Sequence, residues 1–251
     1  MYPVLFHIGN FPISTFGLMM ATAFLVGSWI TARRMQEVGL DPDLATTLLV
    51  YVMLGGIAGA KLYFAVDVSI REEGRTFTEL LFARDGITWY GGLILGTAAG
   101  AIGARIHGVS IVQMMNCIAP AVAVGQAIGR VGCFLVGDDY GRVSDLPWAV
   151  GFPQGAPPTD PGVRVHPTQI YEMLWLLLVA LGLWRRRDRS PFLFGEYLVA
   201  NGCGRLVIEA LRLNPKVLAG LTEPQIVGLA LIAGGSAAWI YFRTRETPVT
   251  A

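Results

Sequence analysis

Two short stretches gather side chains suited to holding an anion. In GRVGCFLVGDDYGR (129–142), Arg130 lies between Gly129 and Gly132, with Cys133, Asp138, Asp139, Tyr140 and Gly141 following. Small neighbours leave a guanidinium accessible and let backbone approach a ligand. In GRLVIEALR (204–212), Arg205, Glu209 and Arg212 stand at i, i+4 and i+7, which is one face of a helix. Lys61 ends the glycine-rich run GGIAGAK (55–61), and HPTQIYE (166–172) runs from His166 to Glu172. Pro167 restricts the residue before it, so His166 is held in an extended lead-in to the next segment. Clustered arginines suit a phosphate group, which a guanidinium binds through two parallel N–H bonds. The ligand suggested is an anionic phospholipid headgroup. A plainer reading stays open at each place. Arg205 and Glu209 can neutralise each other, the Arg130 segment can be a glycine-containing helix end, and His166 can serve hydrogen bonding alone.

The elements that must position these groups belong to a membrane protein. Of 251 residues, 53% are hydrophobic and only 15% charged, where soluble domains carry about 25% charged residues. The mean hydropathy is +0.53. These figures exclude disorder, collagen, coiled coils and secreted disulfide scaffolds, and a net charge of +1 gives no reason to expect nucleic acid. Cys117, Cys133 and Cys203 show no metal spacing, and His7, His107 and His166 form no HExxH, so no metal site is expected. The start, MYPVLFHIGNF, lacks the basic region of a cleaved signal peptide.

A helix needs about 20 apolar residues to cross a bilayer. The stretches 12–32, 44–66, 88–106, 111–131, 168–184, 192–211 and 225–242 meet that template. The expectation is one all-α domain over 1–251, with about seven transmembrane helices. Barrel-like alternating strands are absent from the pattern. Close glycines, such as Gly55, Gly56 and Gly59 or Gly91, Gly92 and Gly96, read mainly as helix-packing faces. Short basic connections hold Arg33, Arg34, Arg105, Arg185, Arg186, Arg187, Arg189, Arg243 and Arg245, and should be cytoplasmic. Longer connections hold Arg71, Arg75, Arg84, Arg142, Arg164, Arg212 and Lys216 among acids. This pattern puts the N-terminus outside and the C-terminus inside. The proline- and acid-rich connection 132–167 then lies outside, where it reads as a cap over a site. No internal repeat is visible, which disfavours an inverted-repeat transporter. Ionisable groups inside such spans cost about 2.5–3.5 kcal/mol on insertion scales, so Lys61, Arg130, Glu172, Arg205 and Glu209 each need a reason.

FGLMM (16–20), GGIAGAKLYF (55–64), DGITWYGGLILG (85–96), GRVGCFLVGDDYGR, HPTQIYE and GRLVIEALR, in this order and over most of the chain, resemble the prolipoprotein diacylglyceryl transferase family. The resemblance implies a bacterial inner-membrane, multi-pass enzyme. Such an enzyme moves a diacylglyceryl group from phosphatidylglycerol to the lipobox cysteine thiol of a prolipoprotein signal peptide, releasing glycerol phosphate. It implies no cofactor and a monomer. By position, Arg130 and Arg205 would stabilise charge on the departing phosphate, Glu209 would hold Arg205, and Asp138 would order the loop around Arg130. Gly91, Gly92, Cys133, Gly141, Lys61, Asn201 and Arg212 would line the substrate.

The acid–base set departs from the family pattern. The family reads HGGLIG where this chain has YGGLILG, which puts Tyr90 at the position of the supposed general base. Cys133 replaces the Asn of GRxGN, Asn201 replaces a Tyr, and Phe16 an early Tyr. A thiol must lose its proton to attack, and an ordinary tyrosine, with a pKa near 10, is a poor base. Either Asp138, Asp139 or His166 serves instead, or the chain binds the lipid for another acceptor or for none. A lipid or anion transporter is a third class, disfavoured because the charges gather towards the outer half.

Overall fold

The computed structural model describes residues 3–9, 11–71, 76–83, 86 and 88–246. Arg75, Arg84 and Asp85, read above as outer-side charges or motif positions, lie outside the described residues. The described chain divides into two compact units, Met1–Ile30 with Met115–Ala251, and Thr31–Met114.

In the first unit, a hairpin of β1 (Val4–Ile8) and β2 (Phe11–Ser14) leads into α1 (Thr15–Glu37). Ser14 starts that helix by accepting from Gly17 N at 3.0 Å, which satisfies one of the N–H groups a helix start leaves orphaned. The unit continues with the later part of α5 (Ile111–Val136), then α6 (Thr168–Arg186), α7 (Leu193–Glu209) and α8 (Glu223–Glu246). A second small hairpin, β3 (Lys216–Leu218) with β4 (Leu221–Thr222), joins α7 to α8. The architecture is thus helical with two short hairpins, and β2 takes residues expected to begin the first span. The core of the unit is built largely from small and branched residues: Ala119, Ala123, Val179, Ala180 and Leu183, with Leu193 and Tyr197. Helices α7 and α8 meet through glycines. A Cβ on Gly235 would stand 2.7 Å from Gly195 O.

The second unit holds α2 (Asp43–Arg71), α3 (Phe77–Phe82) and α4 (Trp89–Ile106). Helix α3 lies inside a connection expected to be a loop. Its signal is a capping box: Thr76 accepts from Glu79 N, and the Glu79 side chain accepts from Thr76 N at 3.0 Å. The α2–α4 contact is a seam of glycines. A Cβ on Gly55 would lie 2.7 Å from Leu95 O, one on Gly59 would strike Gly91 O, and one on Gly91 would strike Gly59 O. Backbone-to-backbone approach of this kind is how helices pack where lipid supplies no hydrophobic drive between them.

Four helices, Thr15–Glu37, Asp43–Arg71, Ile111–Val136 and Glu223–Arg245, are long and apolar enough to cross a bilayer. They occupy four of the expected stretches. The other three coincide with α4, α6 and α7, of 18, 19 and 17 residues, which fall short of that measure. Large apolar side chains, among them Leu25, Trp29, Leu54, Ile57, Ile70, Leu93, Leu178 and Val207, point outward. A water-soluble chain rarely exposes so much apolar surface. This is a helical membrane protein.

The glycine seam makes one expectation sharp. Gly59→Ala forces a methyl against a facing carbonyl that cannot rotate away, and overpacking of this kind costs about 1–3 kcal/mol. The melting temperature in detergent should fall, whereas Gly108→Ala, where a Cβ meets open space at φ +70, tests backbone strain without overpacking. An unchanged melt in Gly59→Ala would contradict the seam.

Candidate active site

The buried carboxylate of Glu172, one turn into α6, draws three arginines to a point. Arg130, near the end of α5, pairs with it through Nε. Arg205, late in α7, donates Nη1 to Oε1 at 3.0 Å, and Arg212, just past the end of α7, brings Nη2 to 3.4 Å from Oε2. Arg205 and Arg212 are two helical turns apart, and the chain keeps its helical course to Arg212, whose N–H reaches Glu209 O at 3.1 Å. Both side chains therefore stay on the face turned to α6. A second carboxylate closes the cluster. Asp139 Oδ2 takes Arg130 Nη1 at 2.7 Å and lies 3.5 Å from Arg212 Nη2.

The loop that carries Asp139 is fixed from both sides. Helix α5 ends at Gly137, in the left-handed conformation (φ +80), where Gly137 N and Asp138 N both turn back to Cys133 O. The fully buried Thr168 and Gln169 then grip the next two residues. Thr168 Oγ1 donates to Asp139 O at 2.7 Å, and Gln169 Nε2 donates to Asp138 O. Beyond them Gly141 N bonds His166 O at 2.9 Å, and Arg142 N bonds Leu211 O at 2.8 Å. No side chain fits at Gly141, since a Cβ would lie 2.7 Å from Leu211 O and 2.9 Å from His166 Cβ. The glycine lets the loop thread between the start of α6 and the end of α7. The rest of the loop folds on itself around the buried Phe152, which stacks on Tyr140, while Arg164 Nε ties to Ala149 O at 2.7 Å.

The neighbouring aspartates differ. Burial raises the Asp138 carboxyl above its ordinary value, against a lowering hydrogen bond from the Cys133 thiol. Burial also works to raise Asp139, but Arg212 and Arg130 outweigh it and hold that carboxyl below its ordinary value. Asp139 is the ionised partner of the arginines. Asp138, expected to order the loop around Arg130, has its carboxyl hydrogen-bonded by the Cys133 thiol, and one of its oxygens is buried without a hydrogen-bond partner.

Glu209 corrects a second expectation. It turns away from Arg205 and accepts from Asn214 Nδ2 at 2.7 Å and Thr222 Oγ1 at 2.9 Å, strapping the β3–β4 segment to α7. Glu172 holds Arg205 in its place. Cys133 Sγ lies 3.8 Å from Arg130 Nη1, so the thiol belongs to the cluster. Asn201 donates to Tyr197 OH at 3.1 Å, which puts a phenol one turn from the position where the family places one. His166 Nδ1 stands 3.3 Å from Tyr171 OH, which accepts from Trp148 Nε1 at 2.8 Å.

The remaining expected positions lie in the second unit. Lys61 Nζ donates to Ala83 O at 2.6 Å and Gly86 O at 3.2 Å, fastening the α3–α4 connection. Gly91 and Gly92 face α2 in the glycine seam. Tyr90 is half-exposed in the first turn of α4, edge-on to Trp89.

The first unit thus gathers three guanidiniums against the two carboxylates they pair with, one formal positive charge over Glu172 and Asp139, with the Asp138 carboxyl, whose charged form burial disfavours, close by. That is a seat for an anion. Cys133, Asp138 and Asp139 have ligand-type atoms within 4.8 Å of one another. The guanidinium of Arg130 is laid against two of these residues and puts positive charge where a cation would have to sit.

Residues 3–241 match the family model for prolipoprotein diacylglyceryl transferase. The chain is similar to the phosphatidylglycerol–prolipoprotein diacylglyceryl transferases of Synechococcus elongatus and Nostoc sp. It is 34% identical to each, over 98% of this chain and 90% and 92% of theirs. It is 31% identical to the enzyme of Clostridium tetani, over 94% of this chain and 95% of that one.

Removing the carboxylate that joins the arginines should be costly. Breaking a buried ion pair from one side costs about 3–5 kcal/mol. Glu172→Gln should therefore lower the melting temperature in detergent far more than Glu209→Gln lowers it per hydrogen bond lost. A wild-type melt in Glu172→Gln would remove Glu172 from the centre of the cluster.

Proposed function

Because the chain belongs to the prolipoprotein diacylglyceryl transferase family, we propose that its arginine cluster takes the phosphate of phosphatidylglycerol while the diacylglyceryl group passes to the lipobox cysteine thiol of a prolipoprotein. The C–S bond forms as the glycerol C–O bond breaks. The thiol proton leaves to a base, and the phosphodiester departs as glycerol phosphate. The single observation that carries this reading is the convergence of Arg130, Arg205 and Arg212 on Glu172 and Asp139, three guanidiniums against two paired carboxylates. Charge develops on the leaving phosphate oxygen, and fixed guanidiniums in a water-poor site stabilise it most as the bond breaks.

Glu172 and Asp139 position the arginines, and Thr168, Gln169 and Gly141 position the loop. Tyr90 donates a hydrogen bond to a headgroup oxygen, a role open to a phenol but closed to Phe. The proton goes to Asp138 or to the His166–Tyr171 pair. Asp138 is supported by its raised carboxyl beside Cys133, His166 by its hydrogen bond with Tyr171 OH. Cys133 and Asn201 shape the surroundings of the lipid. The chain acts as a single domain and a monomer in the bacterial inner membrane. It crosses about seven times, with the N-terminus outside, the C-terminus in the cytoplasm and the connection 132–167, helical as far as Val136, capping the site.

The test is turnover by purified protein given phosphatidylglycerol and a lipobox peptide. Arg130→Ala and Arg205→Ala should each abolish it, and Arg→Lys should restore little because the two-pronged fork is lost. Tyr90→Phe should lose at least a factor of ten, about 1.4 kcal/mol. Full turnover in either alanine variant would remove the arginines from the reaction, and wild-type kinetics in Tyr90→Phe would remove the phenol.

A further inference from the structure

The two carboxylates of the cluster are not equivalent. Glu172 lies behind the arginines with its side chain 7% exposed, fixed to three of them. Asp139 lies in front, 48% exposed, against 16% for Arg130 and 6% for Arg212. One Asp139 oxygen bridges two guanidiniums, 2.7 Å from Arg130 Nη1 and 3.5 Å from Arg212 Nη2. A phosphate oxygen would take those same N–H donors. The backbone beneath is held independently of the side chain, with Asp139 O gripped by Thr168 and Asp138 O by Gln169. Asp139 also sits at φ +58, a conformation that Asp and Asn adopt more readily than most other side chains. The carboxylate can therefore swing off the arginines while its loop stays in place.

We infer that Asp139 is a placeholder for the lipid phosphate, occupying the front of the arginine cluster at rest, yielding to the substrate phosphodiester and returning to displace the product. This rests on the arginines being the phosphate seat. The reaction turns a phosphodiester with one negative charge into a phosphate monoester, which carries nearly two at neutral pH because its second pKa is about 6. Counted with Glu172 alone the three arginines carry two net positive charges, and Asp139, in place or swung aside but still close, takes one of them away. Its negative charge therefore repels the doubly charged monoester more than the singly charged diester. Asp139 therefore sets the discrimination between substrate and product, favouring release of the more highly charged one.

Two soluble probes separate these states: glycerophosphoglycerol, the diester headgroup, and glycerol 1-phosphate, the monoester. Binding of each to the full-length purified protein in detergent is measured by calorimetry. Asp139→Asn keeps the side-chain shape and tolerates the positive φ. It should bind glycerol 1-phosphate at least tenfold more tightly than wild type, with a smaller gain for the diester. Asp145→Asn, which removes an equal charge from an exposed site in the same loop, should leave both affinities within twofold. If Asp139→Asn changes neither affinity while Arg130→Ala weakens both, the placeholder is wrong and the phosphate seat stands. If Arg130→Ala changes neither, the phosphate seat itself fails, and the placeholder with it.

Discussion

A buried carboxylate facing three guanidiniums is the constraint on which the first unit turns. Taking these charges out of water costs several kcal/mol per ion, and the cost is offset only when each charge has close partners of opposite sign. Glu172 supplies that for Arg130, Arg205 and Arg212 together, so the end of α5, the start of α6 and the end of α7 are locked to one point. The loop after α5 inherits its position from the same place. Asp139 pairs with two of the arginines, and Thr168 and Gln169, beside Glu172 on α6, hold the loop backbone. Over Glu172 and Asp139 one positive charge remains, which is what an anionic lipid would meet on the proposed reading.

Around this polar point the chain packs through what it lacks. Glycines let α7 approach α8 in the first unit and α2 approach α4 in the second, down to contacts between backbone atoms. Large side chains are turned outward instead. The division is sensible in lipid, where outward apolar surface carries no penalty and close backbone contact supplies the cohesion. Gly141 uses the same freedom for a different purpose, threading a loop past Leu211 O where no side chain has room.

Much of this was legible in the sequence. Apolar runs of bilayer length marked the helices, and an arginine between glycines marked the end of α5. The i, i+7 spacing of Arg205 and Arg212 placed both on one face, as found. What the spacing could not tell was which acid they would meet. Glu209 shares their helix and looked like the partner, yet the face of α7 that meets α6 leaves it outside, among Asn214 and Thr222. Glu172 lies more than thirty residues from Arg205 in sequence, and its pairing is a product of packing alone. That Asp139 rather than Asp138 pairs with the arginines has a similar origin. The two aspartates are close neighbours, but Asp138 is engaged with the Cys133 thiol while Asp139, in a left-handed turn, pairs with Arg130 and Arg212. Helix α3 was missed although its capping box, Thr76 to Glu79, was readable, because six residues make too short an apolar run to register as an element.

The chemistry now rests on arginines in the expected place and on an acid–base set that differs from the family pattern, with Tyr90 where the family has His. The measurement that meets this most directly follows both products of one incubation. Purified protein is mixed with phosphatidylglycerol and a synthetic lipobox peptide, the peptide mass is read, and the glycerol phosphate released is counted. The account predicts a peptide heavier by one diacylglyceryl group, joined as a thioether at its cysteine, with glycerol phosphate released in equal amount. Glycerol phosphate without a heavier peptide, or bound lipid with neither product, would contradict it.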